Sequence, residues 1–146
     1  MSDTPTIERE QSGGIRILLV EDDDGCALLL KTVLTRWRYG AFTIRRAETL
    51  ASAVLMVAEG GVDIILLDLG LPDSHGVNTF ARMHTAAGQV PIVVLSGSDD
   101  EELATSMIKQ GAQDFIVKGT AVDGSSLART IRYAILRCHA SRVGCE

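Results

Sequence analysis

The sequence predicts an α/β fold: a doubly wound, five-stranded parallel sheet, strand order 2-1-3-4-5, with five helices shared between its two faces. Three observations carry this expectation. Five short runs of branched aliphatic residues alternate with five stretches of helical periodicity. The segments between successive runs are long enough for the right-handed crossovers that parallel neighbours need. The central runs are continuously apolar, as strands covered on both faces must be.

Met1 to Gly14 mixes Ser, Thr, Pro5 and charges without an apolar period, and reads as a disordered leader. Ile15 to Val20 is the first strand, and it ends abruptly at Glu21-Asp22-Asp23-Asp24-Gly25. A helix from about Asp24 to Arg38 places Ala27, Leu30, Val33, Leu34 and Trp37 on one face, and Gly40 stops it. Phe42 to Arg46 is the second strand. Thr49 then caps a helix carrying Leu50, Ala53, Val54 and Val57, which runs to Gly60-Gly61.

Val62 to Asp68 is the third strand, four apolar residues leading into a single carboxylate before Gly70, Pro72 and Gly76 break the pattern. A helix from His75 to about Ala87 closes at Gly88. Val90 to Leu95 is the fourth strand, with its proline near the start, where a missing donor is tolerated. The acids of Ser96-Gly-Ser-Asp-Asp-Glu-Glu suit the N-terminus of a helix that runs to Gln110 and ends at Gly111. Asp114 to Lys118 is the fifth strand. Ser125 to about Ala140 is the last helix, with Leu127, Ile131, Ala134 or Ile135, and Cys138 inward. The chain thus reads as one domain over residues 15–140, with 141–146 as a short tail.

Composition narrows the class. At 46% hydrophobic, 146 residues bury a core without staples. Cys26, Cys138 and Cys145 are odd in number and lack ligand spacing, which speaks against a disulfide framework and structural zinc and for a reducing cytoplasm. No apolar run approaches the ~20 residues of a membrane span, and the polar, acidic start is unlike a signal peptide. A net charge of −5 gives no general attraction to nucleic acid. The arginines from Arg129 to Arg142 lack a reading helix or aromatic platform, so no direct nucleic-acid partner is expected.

In a doubly wound sheet the carboxyl ends of all strands open on one side. Here they carry Glu21, Asp22 and Asp23 after strand 1, Asp68 after strand 3, Ser96 after strand 4 and Lys118 after strand 5. Taken singly, the residues after strand 1 are helix caps, Ser96 is a turn residue and Lys118 an edge charge. Together they form a crevice in which two carboxylates about 4 Å apart repel by roughly 4 kcal/mol, so a hard divalent cation is the natural counter-charge. Magnesium, bound by one or two carboxylates together with a phosphate, fits best. Acids, cation, hydroxyl and lysine suit a phosphoryl group, with Asp68 as the nucleophile.

The motifs Ile17-Leu-Leu-Val-Glu21-Asp22-Asp23, Leu66-Leu-Asp68-Leu-Gly-Leu-Pro72 with Gly76, Val93-Val-Leu-Ser96-Gly97 and Gly111-Ala-Gln-Asp-Phe115-Ile-Val-Lys118 closely resemble the receiver domain of two-component response regulators. The resemblance covers about Ile15 to Arg137, and the strand order above is as much a family property as a deduction. It implies that Asp68 accepts the phosphoryl group. Asp22, Asp68 and the Gly70 carbonyl would ligate magnesium, with Glu21 acting through a bound water. Ser96 would bond a phosphoryl oxygen, and Lys118 would pair with Asp68 or the phosphate. Phe115 matches the aromatic switch position, so that phosphorylation would alter the face made by helix 4, strand 5 and helix 5. The domain would be a signalling module rather than an enzyme, with only intrinsic phosphotransfer and autodephosphorylation chemistry.

The chain departs from the family in three places. Gly119 stands where proline commonly follows the lysine, often with a cis bond, which without proline costs about 3 kcal/mol. Phe115 lacks a phenolic hydroxyl, and Glu21 adds a methylene to the commoner aspartate. A haloacid-dehalogenase phosphatase would need an acid where Gly70 stands, and an FMN carrier would be repelled by Glu21 to Asp24. The remaining alternative is a pseudo-receiver, an interaction module that works without phosphorylation. The expected partners are a sensor histidine kinase or a histidine phosphotransfer protein, since His75, His84 and His139 read as ordinary surface residues. A homodimer through helices 4 and 5 is compatible with the family.

Overall fold

The computed structural model describes residues 14–36, 41–97, 99–118 and 124–144. The expected leader, Trp37, Gly40 and the Lys118–Gly119 bond lie outside the described residues, as do Cys145 and Glu146. Five strands, β1 (Ile15–Val20), β2 (Phe42–Ala47), β3 (Ile64–Asp68), β4 (Ile92–Ser96) and β5 (Asp114–Val117), form one sheet in the order 2-1-3-4-5. All four pairings are parallel, and Asp68 lies beside Leu95 and Ser96 beside Val117 in the register. The helices are α1 (Asp24–Thr35), α2 (Leu50–Ala58), α3 (Gly76–Ala87), α4 (Glu101–Gln110) and α5 (Gly124–Gly144).

The sheet divides the core in two, because successive side chains on a strand point to opposite faces. On one face Ile17, Leu19, Ile64, Leu66, Val93 and Leu95 meet Ala27, Leu30 and Leu34 of α1 and Leu127, Ile131 and Ala134 of α5. On the other Leu18, Val20, Ile65, Leu67 and Val94 meet Leu50 and Ala53 of α2, Phe80 and Met83 of α3 and Met107 of α4. Every residue of β3 and β4 is buried, which accounts for their unbroken apolar runs. Of the expected inward residues of α5, Ala134 is fully buried, while Ile135 and Cys138 are half-buried.

Element ends differ from the sequence reading by a residue or a few. β4 begins after Pro91, which has no N–H to give the ladder, although its carbonyl still accepts from Ile65 at 2.9 Å. Val62 precedes β3. Lys118 follows β5, yet its N–H continues the ladder to the Ser96 carbonyl at 2.7 Å. The loop after β3 carries a two-residue antiparallel ladder, Gly70–Leu71 against Ser74–His75, turned by Pro72 and Asp73. α5 runs on to Gly144.

The expected cap Thr49 accepts from Ser52 N–H in a reciprocal capping box, and among the acids expected at the start of α4 Asp100 is the cap, accepting from Glu102 and Leu103 N–H. Gly111 ends α4 at φ 122°, a backbone conformation that favours glycine, and a Cβ there would also displace the His84 ring, 2.6 Å from its Nε2. No helix of the described residues is long and apolar enough to cross a membrane.

Candidate functional site

The four acids after β1 take different tasks. Glu21 is buried, with its N–H on the Ala47 carbonyl at 3.0 Å. Asp22 is exposed at the mouth of the crevice. Asp23 turns away to cap α1, its Oδ1 accepting from Gly25 at 2.8 Å and Cys26 at 3.2 Å, so the plain capping role holds for this one residue. Asp24 forms an ion pair with Arg46 at 2.8 Å. The three carboxylates that converge are therefore Glu21, Asp22 and Asp68, each offering an oxygen within 4.8 Å of the others.

Lys118 bridges two of them. Its Nζ lies 2.7 Å from Glu21 Oε1 and 2.9 Å from Asp68 Oδ1. The Lys118–Asp68 pairing follows the sequence expectation; the Lys118–Glu21 pairing was not anticipated. Glu21 also accepts from the Asp23 N–H at 3.2 Å. Burial pushes the Glu21 carboxyl upward, but the Lys118 hydrogen bond, the Cys26 thiol and the Lys118 charge together bring it below its ordinary value. Asp68 goes the other way. Desolvation at the end of β3, joined by the charge of Glu21, outweighs Lys118 and pushes it up to about 6. Lys118 is raised: burial opposes its charge, and bonds to both acids more than restore it. Cys26, half-buried beside Glu21, is pushed up to about 11 by burial and by its hydrogen bond to Glu21, which disfavours the thiolate.

Ser96 is buried at the end of β4, one residue beyond the register partner of Asp68, and its carbonyl holds the Lys118 N–H. Phe115 is half-buried on β5 and packs on the core cluster that contains Val94, Met107 and Ala112. Gly70 is exposed, with nothing within 4 Å of where a Cβ would stand. The crevice thus gathers Glu21, Asp22, Asp68 and Lys118 with Ser96 at its edge, while Phe115 sits in the layer below.

Sequence reasoning missed the groups that hold the loops. Asp73 reaches across to α2 and accepts from the Leu50 N–H at 2.9 Å and the Ala51 N–H at 3.0 Å, which holds its carboxyl below the ordinary value. The buried Thr79 hydroxyl donates to Ser74 Oγ at 2.8 Å and reaches the Leu69 carbonyl at 3.4 Å, and Gly76 N–H meets the same carbonyl at 2.8 Å. Arg46 donates Nε to the Glu21 carbonyl at 2.9 Å. A turn residue after Pro72 and a Thr on an apolar helix face give no sign of such partners in sequence. Arg137, part of the basic stretch, folds back onto Gln113, its Nη2 donating to the backbone carbonyl at 3.0 Å.

The residues present fit a hard cation. Three carboxylates against one ammonium leave a formal excess of negative charge, and two acids 4.8 Å apart repel by about 3 kcal/mol at an effective dielectric near 20. The donors are all oxygen, and the exposed Asp22 leaves the crevice open to solvent, both of which suit magnesium.

Comparison with known proteins agrees with the fold. The family model for the response regulator receiver domain matches residues 17–131. The swarming motility regulation protein RssB of Serratia marcescens is 32% identical over 108 residues, covering 74% of this chain and 48% of RssB. The transcriptional regulatory protein KdpE of Staphylococcus aureus is 34% identical over 110 residues, covering 74% of this chain and 45% of KdpE. The chain therefore spans less than half the length of either. Among solved structures, the signal receiver domain of an HD domain-containing protein from Pseudomonas fluorescens superposes with a TM-score of 0.76 at 23% identity, over 96% of this chain and 97% of that one, a likeness of fold. A sensor protein from Polaromonas gives a TM-score of 0.71 at 26% identity, covering 85% and 98%. With its motifs at the ends of successive strands and its family model matched over most of the sheet, this chain belongs to the response regulator receiver domains.

Proposed function

We propose that the domain accepts a phosphoryl group on Asp68 from a phosphohistidine of a sensor kinase or histidine phosphotransfer protein, with magnesium bound by Asp22, Asp68 and the Gly70 carbonyl. The observation that carries this reading is the Lys118 ammonium held between Glu21 and Asp68 at 2.7 and 2.9 Å, inside a cluster of three carboxylates. Asp68 attacks phosphorus in line, a P–O bond forms as the P–N bond breaks, and the imidazole leaves with the electron pair. Magnesium, when bound, offsets charge on the transferring oxygens and keeps Asp68 ionised.

Lys118 moves from Asp68 toward a phosphoryl oxygen, and Glu21 retains its other hydrogen-bonding end. Ser96 offers its hydroxyl to a second oxygen. Because the Ser96 carbonyl holds the Lys118 N–H at 2.7 Å, a shift of Ser96 is felt at the end of β5. Phe115 stands on that strand, so its ring is the element through which the α4–β5–α5 face would change. Signal output through this face, including self-association of two copies, belongs to the same reading, as do spontaneous phosphotransfer and hydrolysis without a separate enzyme activity. The pseudo-receiver alternative has less support, since the phosphotransfer residues stand at their expected strand ends.

Beryllofluoride with magnesium mimics the phosphoryl group and separates the two. Amide chemical shifts of Ser96 and Phe115 should move on addition; unmoved shifts in a protein that binds magnesium would leave the pseudo-receiver standing.

A further inference from the structure

Arg46 lies next to the end of β2, outside the phosphotransfer set. Its Nε donates to the Glu21 carbonyl at 2.9 Å and its Nη1 meets Asp24 Oδ1 at 2.8 Å. Glu21 and Asp24 bracket Asp22 and Asp23, so one planar guanidinium grips both ends of the segment that carries two of the three converging acids. The neighbouring Ala47 carbonyl holds the Glu21 N–H as well. The end of β2 thus fixes this loop from its backbone and from a side chain.

The Asp24 hydrogen bond and the charges of Glu48, Asp24 and Glu21 hold the Arg46 guanidinium above its ordinary value, so this arginine favours the fold in part and costs it in part. Arg46 Nη2 is buried without a hydrogen-bond partner among the described residues, which is costly. Asp24 is almost fully exposed, so its ion pair contributes little to folding. The positive charge also opposes a cation bound nearby. What the side chain does supply is a rigid two-point fork.

We infer that Arg46 is a positioning residue for the cation site: it sets Glu21 and Asp22 against Asp68 by clamping the β1–α1 loop, without touching the ion. This rests on the magnesium reading above. Charge and positioning then predict opposite outcomes. If Arg46 acted only through its charge, removing it would tighten magnesium binding. If it positions the acids, removal weakens binding.

The test is magnesium titration calorimetry on the full chain, metal-free at the start, comparing wild type with Asp22→Ala, Arg46→Met and Arg46→Lys. Arg46→Met should weaken binding about tenfold, the scale on which supporting groups tune metal sites. Arg46→Lys, which keeps the charge and loses the fork, should weaken it by a similar factor. Unchanged or tighter binding by Arg46→Met overturns the inference while leaving the magnesium site intact. If Arg46→Met fails to fold, wild-type affinity in Arg46→Lys overturns it equally. A wild type that binds no magnesium, or binds it no better than Asp22→Ala, overturns the magnesium reading and this inference with it.

Discussion

The Asp68 carboxylate lies 2.9 Å from the Lys118 ammonium and is nevertheless pushed up to about 6. A single ion pair normally lowers an aspartate. Here burial at the strand end is the main cause, and the charge of Glu21, which shares the lysine, adds to it. The crevice is therefore held at a cost, with a carboxylate that a bound cation would bring into its ionised form.

That cost is measurable. The folded value lies above the ordinary 3.8, so the native state holds the proton more tightly, and the stability it confers is full below 3.8 and lost as pH rises through about 6. Asp68→Asn removes the dependence. Between about pH 4 and about pH 7.5, without metal, its advantage over wild type in urea unfolding should grow by about 2 to 3 kcal/mol. A constant difference across that range would mean that Asp68 is not raised.

The buried Thr79 hydroxyl gives a second test, on the floor of the loop. Thr79→Val keeps the shape and strands the Ser74 hydroxyl. Unfolding free energy should fall by about 1 to 3 kcal/mol, the cost of an unpaired buried polar group. An unchanged midpoint would show that water reaches Ser74 once the bond is gone.

The convergence of the crevice side chains was legible because strands buried on both faces write themselves as apolar runs, and the residues at the carboxyl end of such a run stand together at one edge of the sheet. Asp68, Ser96 and Lys118 were found that way, and Glu21 and Asp22 with them. The braces were not. Asp73 contacts Leu50 and Ala51 from more than twenty residues away, and Arg46 meets Glu21 across two strands. Each pairing depends on how the strands stack, which no local period encodes. Asp23 shows the converse: its capping role is local, the ordinary task of an acid between a strand and a helix, although its place among the strand-end acids grouped it with the crevice. The ladder after β3 escaped notice because Gly70, Pro72 and Gly76 signal a break without saying how the chain turns.

Gly70 offers a test of the proposed phosphorylated state. The space around it is empty and its backbone needs no glycine, so a larger residue is accommodated without strain. Gly70→Arg should shield the acyl phosphate on Asp68 from water and slow its loss several-fold, a barrier change of about 1 kcal/mol. Decay followed by intact-protein mass spectrometry after donor removal reads this directly, and an unchanged half-life would remove Gly70 from the account of hydrolysis.

The central claim, that Asp68 is the phosphoryl acceptor, is tested most directly by trapping. The full chain is incubated with acetyl phosphate and magnesium, reduced with borohydride to convert any acyl phosphate to homoserine, and digested for peptide mass spectrometry. Homoserine is expected at position 68, absent without magnesium and absent in Asp22→Ala. Homoserine at another carboxylate, or none anywhere in a wild type that binds magnesium, would contradict it.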